Sequence, residues 1–202
     1  MRICVASLKG GSGKTCTTVM LAEAAALAGQ RAMVIDLDPQ TTGSATAWAE
    51  LAASDQPLRS TVISLPPKEL GRLLRNLSSD YGFVAIDTPP GSESVVSAAI
   101  RNADLALLAL NARLADLERS HAVIDLAGEY GTPIQSVLSR TRPKVKITAE
   151  IAEALDGLGA PVAGEIRESE RTADAYGRQP TAAALKPFTQ LLTALENSHV
   201  QS

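Results

Sequence analysis

Aromatic side chains are scarce in this chain: two Phe, three Tyr and one Trp make up 3% of its residues. The core must therefore be assembled from Ala, Val, Leu and Ile. Cysteine is scarcer still. Cys4 and Cys16 stand alone, with no Cys-x-x-Cys or Cys/His spacing, which excludes a disulfide framework and a zinc site. No apolar run reaches the roughly 20 residues needed to span a bilayer, and no leader pattern precedes the first apolar segment. The expected location is therefore cytoplasmic. Neither sign of charge dominates: 19 Lys and Arg stand against 22 Asp and Glu. That excludes a protein that coats nucleic acid unaided, while leaving a local basic patch open.

What is present is 202 residues with a 45% hydrophobic fraction, enough for one well-packed domain over 1–202 and too few for two. Short β-branched runs alternate with helical stretches, the pattern of a three-layer αβα fold around a mostly parallel sheet. The expected strands are Ile3–Leu8, Arg31–Leu37, Thr61–Ser64, Phe83–Asp87, Leu105–Leu110, Ile134–Arg140 and Pro161–Ile166. Several are apolar throughout, as suits central strands covered on both faces. The expected helices are Lys14–Ala28, Pro67–Leu77, Val95–Asn102, Asp116–Glu129, Ala149–Leu158 and Pro187–Glu196. In the last of these, Phe188, Leu191, Leu192 and Leu195 form one apolar stripe, read first as core-facing.

Between the first strand and the first helix stand Lys9-Gly10-Gly11-Ser12-Gly13-Lys14-Thr15-Cys16. Glycines let backbone N–H groups close on phosphate oxygens, because no Cβ blocks the approach. Lys14 supplies a point charge to the terminal phosphates, and the Thr15 hydroxyl can ligate Mg²⁺. The opening helix adds its positive dipole end. The common phosphate loop has a glycine where Leu8 stands; this chain has instead a second lysine, Lys9, and so follows the deviant form of the motif. Cys16 beside it reads as a small packing residue.

Two acidic strand ends follow. In Ile35-Asp36-Leu37-Asp38-Pro39-Gln40, Asp36 and Asp38 share a side of the strand, so both are expected at the site's edge. In Val84-Ala85-Ile86-Asp87-Thr88-Pro89-Pro90-Gly91, Asp87 is the expected carboxylate behind Mg²⁺, and Gly91 offers an N–H to a γ-phosphate. Asp38 could equally cap a turn ahead of Pro39.

These three segments in this order resemble the ParA family of segregation ATPases, part of the group that includes MinD, and the likeness covers nearly the whole chain. The resemblance implies a P-loop NTPase fold, ATP and Mg²⁺, and slow hydrolysis of ATP. It assigns Lys14 to the chain's own nucleotide and Lys9 to the partner's across a face-to-face homodimer. Thr15 would ligate the metal, Asp38 would position the attacking water, and Asp87 would back the metal. By the same analogy Arg140 and Arg167, at the far strand ends, flank adenine. Ser7-Leu8 and Cys16 depart from the family's usual residues without removing a charge. With no helix-turn-helix ahead of the loop, operator recognition is expected of a small ParB-type centromere-binding partner.

Four bases in eight residues, among them Arg142, Lys144 and Lys146, form the densest positive segment, and Arg171, Arg178 and Lys186 follow in the last quarter. Either group reads as a solvated face or as non-specific contact with DNA phosphates, strengthened when dimerisation aligns two copies. No aromatic is interleaved, which argues against stacking on single strands. The leading expectation is ATP-dependent plasmid or chromosome partitioning on the nucleoid. A MinD-like regulator at the membrane would need a basic amphipathic tail, and Leu185 to Ser202 carries only Lys186 and Glu196 besides His199. A ParA-like positioner of non-DNA cargo shares every nucleotide residue.

Overall fold

A computed structural model describes residues 1–38, 42–77, 79–142 and 146–201. The elements run β1 (Arg2–Ala6), α1 (Lys14–Leu27), β2 (Ala32–Asp36), α2 (Ala45–Ala52) and β3 (Thr61–Ser64). A 3₁₀ turn (Pro67–Glu69) then leads into α3 (Leu70–Asn76), followed by β4 (Phe83–Asp87) and α4 (Glu93–Arg101). The second half comprises β5 (Leu105–Asn111), α5 (Leu114–Tyr130), β6 (Ile134–Thr141) and α6 (Lys146–Gly157). It closes with β7 (Val162–Arg167), α7 (Glu170–Ala173) and α8 (Ala182–Gln201).

All seven strands form one sheet in the order β3-β2-β4-β1-β5-β6-β7, with every pairing parallel. The parallel three-layer expectation is thus met. β2, β4 and β5 are buried at every residue, as their unbroken apolar runs require. Two cores lie on opposite faces. One gathers Val19, Met20, Trp48, Phe188 and Leu192 under α1, α2 and α8. The other gathers Leu70, Val96, Ile100, Val123 and Ile151 under α3 to α6.

Three expectations need correction. α2 and α7 are helices the sequence pattern did not suggest. α8 starts at Ala182, five residues before Pro187, which therefore lies inside it. Thr181 caps its start, its hydroxyl accepting from the Ala184 N–H at 3.3 Å. The buried stripe gains Leu185, one turn earlier. The gain from burying that turn outweighs the one helical hydrogen bond the proline removes.

The order of the sheet places the site. β1 is central, with β4 and β5 on either side, so the loop after β1 emerges where the chain's connections diverge. Parallel sheets bind ligands in such crevices at the carboxyl ends of their strands.

Candidate functional site

The loop Lys9–Gly13 leaves β1 and turns into α1 through two glycines in the left-handed region, Gly11 (φ 74°) and Gly13 (φ 88°). A Cβ on Gly13 would stand 3.2 Å from Ser139 Oγ, so only glycine fits between loop and β6 without a shift. Ser7 supports the turn by accepting the Lys9 N–H at 3.3 Å, which gives this departure from the family pattern a local role. The buried Ser12 hydroxyl donates to the Lys9 carbonyl at 3.4 Å.

Lys14 is almost wholly buried and donates from Nζ to the Lys9 carbonyl at 3.0 Å. Burial lowers its pKa, opposed by the charges of Asp87 and Asp38. Asp87, at the end of β4, is fully buried. Its Oδ1 accepts from Thr18 Oγ1 at 3.3 Å, while Oδ2 accepts no hydrogen bond. Burial pushes the Asp87 carboxyl up to about 7. The neighbouring Thr15 hydroxyl and Lys14 ammonium oppose that rise, and Asp36 and Asp38 add to it.

Asp36 and Asp38 divide their labour. Asp36 is wholly buried: Oδ1 accepts the Asp38 N–H at 2.9 Å, and Oδ2 accepts the Thr46 N–H at 2.8 Å and its hydroxyl at 2.7 Å. It therefore shapes the backbone rather than facing the site's edge, which corrects the expectation for this residue. Asp38 is half-buried and close enough to Lys14 and Asp87 to shift both. Pro39 and Gln40, the rest of that segment, lie outside the described residues. Gly91 also differs from expectation, since its N–H donates to the Leu8 carbonyl at 3.1 Å and so braces the phosphate loop.

Lys9 points to its own chain's α5, where it forms an ion pair with Asp116. Asp116 is buried, and its other oxygen accepts from Asn111 Nδ2 at 3.0 Å. Burial raises its pKa, but the hydrogen bonds from Lys9 and Asn111 and the Lys9 charge prevail, so the net shift is downward. Sequence reasoning did not assign Asp116 a part; its only signal was an acid in a first helical turn.

Beyond the loop opens a cavity of about 560 Å³, within the range of small-molecule sites. Thr15, Cys16, Arg140 and Arg167 line it, bringing together four residues expected there. Trp48, Tyr176 and Phe188 line it too, and none of them was expected. Trp48 and Tyr176 pack with ring centroids 5.3 Å apart, and the Tyr176 hydroxyl accepts the Gly43 N–H at 3.1 Å. Arg140 adopts φ 53°, the one positive φ outside glycine among the described residues, where a bulge interrupts the pairing of β6 with β7. Burial raises the Cys16 thiol to about 11 despite Arg140, which keeps it protonated at neutral pH.

The residues fit a hard cation beside phosphates. An unpartnered buried carboxylate oxygen and a nearby hydroxyl are the oxygen donors that Mg²⁺ takes, with phosphates and water completing its shell. The basic residues do not gather into one patch. Arg142 pairs with Glu168 at 2.8 Å, and Lys144 lies outside the described residues. Lys146 opens α6 on one face of the sheet, whereas Lys186 rides on α8 on the other. Arg171 and Arg178 are exposed near α7.

Residues 3–181 match the CobQ/CobB/MinD/ParA nucleotide binding domain. Maintenance of carboxysome distribution protein A from Gloeobacter kilaueensis is 34% identical over 173 residues, spanning 84% of this chain and 69% of that protein. Chromosome partitioning protein ParA from Myxococcus xanthus is 28% identical over 57% of this chain and 54% of its own length. In structure, the septum site-determining protein MinD from Pyrococcus horikoshii, complexed with Mg-ADP, superposes with a TM-score of 0.78. That similarity covers 100% of this chain and 98% of MinD at 18% identity.

Proposed function

The chain belongs to the CobQ/CobB/MinD/ParA nucleotide-binding domain family, and on that premise we propose that it is an ATPase whose ATP-bound dimer holds DNA non-specifically. Partner-stimulated hydrolysis then releases it, and repeated cycles partition a plasmid or chromosome. The observation that carries this reading is the phosphate loop with two lysines, closed by glycine beside the unpartnered oxygen of Asp87. Lys14 already gives the chain's own phosphates a point charge. A second on the same loop, half-exposed and held by a carboxylate, serves a reach outward.

On this reading each residue has a part. Loop N–H groups and Lys14 bind and orient the phosphates, and Asp38 holds the attacking water in line. Arg140 and Arg167 flank the base in the cavity beyond the loop. Mg²⁺, held by Thr15 with Asp87 and Asp38 behind it, supplies neutralisation of phosphate charge. Lys9 exchanges Asp116 for the partner subunit's nucleotide, which ties dimerisation to ATP. The basic residues Arg142, Lys144, Lys146, Arg171, Arg178 and Lys186 contribute DNA contacts that dimerisation doubles.

A second reading has its own support: the 34% identical relative is named for carboxysome distribution. Here the same cycle on DNA moves a protein assembly, and only the adaptor protein differs. No helix among the described residues is long and apolar enough to cross a membrane. Light scattering and co-sedimentation with DNA, run with ATP, ADP and no nucleotide, test the proposal. The expected result is a dimer and salt-sensitive DNA retention with ATP alone, both lost in Lys9→Ala. A chain that stays monomeric with ATP overturns it.

A further inference from the structure

Away from the nucleotide site, four cations converge on a trough between α3 and α4. Lys68 of the 3₁₀ turn, Arg72 and Arg75 of α3, and Arg101 of α4 all line a cavity of about 650 Å³. Lys68, Arg72 and Arg75 recur at i, i+4 and i+7, the spacing that sets them on one helical face. Ser94, Ala98 and Arg101 repeat that spacing on the opposing wall.

These charges have little to offset them. Arg72 meets Glu69 at 3.2 Å in an exposed pair, which contributes little. Among the described residues, the side chains of Lys68, Arg75 and Arg101 form no ion pair. Glu93 sits about 140° round α4 from the lining face, and Asp104 is engaged by the Arg2 N–H at 2.8 Å. Four cations thus face one carboxylate. Holding like charges together costs free energy unless a polyanion occupies the space between them.

We infer that this trough is a track for the phosphate backbone of double-stranded nucleic acid. Guanidinium and ammonium donors with the Ser94 hydroxyl suit phosphate oxygens and carry no base code. No aromatic lines the trough, so unpaired bases find nothing to stack on. A bilayer is disfavoured because the exposed large apolar residues, Leu27, Leu51, Leu114, Leu158 and Tyr176, all lie elsewhere.

The trough also has direction. Pro67 and Val95 line both it and the cavity that holds Asp38, so one end adjoins the nucleotide site. Gly71, Arg75 and Asn102 are shared with a depression lined also by Arg2, Tyr81 and Asp104, where the run of positive charge ends. DNA and the Asp38 loop thereby share a wall. The inference deepens the DNA-binding reading above and rests on it.

The test is fluorescence anisotropy of a short labelled duplex of random sequence, with the ATP-loaded full chain at about 50 and about 200 mM salt. Lys68→Ala/Arg72→Ala/Arg75→Ala is expected to lose about tenfold or more in affinity and to flatten the log–log salt slope by about three per protomer. Arg75→Gln alone loses about threefold, which keeps the inference testable if the triple variant misfolds. Arg119→Ala, which removes an exposed base of α5 outside the trough, stays near wild type. Wild-type-like binding by both trough variants overturns the track and leaves ATP-dependent DNA binding intact. A wild-type dimer that binds no duplex overturns the track and the DNA matrix together. Capture on anionic phospholipid vesicles in place of duplex assigns the trough to lipid headgroups and overturns it as a DNA track.

Discussion

Asp87 is sealed from water with one oxygen unpartnered, and in this single side chain the site and the stability of the fold are linked. Its folded pKa of about 7 lies above the ordinary value near 3.9. The folded chain therefore favours the protonated form. That contribution to stability is fully present below about pH 4 and is lost as pH rises through about 7, at a cost approaching about 4 kcal/mol. Asp87→Asn removes the titration. Thermal melts of the nucleotide-free chain should show wild type falling from pH 5 to pH 8 while the variant stays flat, and the opposite slope sinks the assignment. Such residues were legible because phosphate chemistry needs particular side chains at fixed, contiguous spacing. Asp116 was not, since it meets Lys9 across 107 residues. Nor was the positive φ of Arg140, which follows from a strand irregularity that residue type does not announce.

Among elements, the central strands were readable from unbroken apolar runs, and α1 from its position after the glycine loop. α2 was missed because its eight residues bury only Ala45, Trp48 and Ala52, too little contrast to stand out. Yet α2 is tied to the site. Ser44 caps it by accepting the Ala47 N–H at 3.2 Å, and Asp36 holds Thr46 on one oxygen and Asp38 on the other. The end of β2, the Asp38 backbone and the start of α2 thus form one unit hinged on a buried carboxylate. Asp36→Ala strands two backbone N–H groups and a hydroxyl, at about 1–3 kcal/mol each when buried. A stability loss of about 3–5 kcal/mol by denaturant melt is expected, together with loss of ATP turnover even where the variant is kept folded. Retained turnover would show that Asp38 needs no such support. The trough's stripe shows the converse limit. Lys68, Arg72 and Arg75 are readable at helical spacing, but Arg101 joins them only through the packing of α4 beside α3.

Across the whole molecule, α8 closes the sheet face on which the cavity lined by Arg140 and Arg167 lies. α8 packs on α1 and β7, and its Phe188 is fully buried while also forming part of the cavity wall. The same ring therefore fills the core and shapes the ligand space. Gly164 in β7 belongs to this contact, since a Cβ there would stand 3.1 Å from the Leu191 Cδ1. The apolar stripe announced a core-facing helix, but chain order alone could not show which cavity it would wall. Phe188→Ala leaves a void in both places and should cost about 3–5 kcal/mol, or roughly 10 °C in melting temperature for a chain of this size. Adding ATP at about 100 times its dissociation constant should return about 2.7 kcal/mol to the wild-type chain. If the cavity holds the base as proposed, the variant should recover less, because the void under the cavity wall alters its shape. Equal recovery in a calorimetric melt would separate the helix from the nucleotide site and leave α8 a purely structural cover.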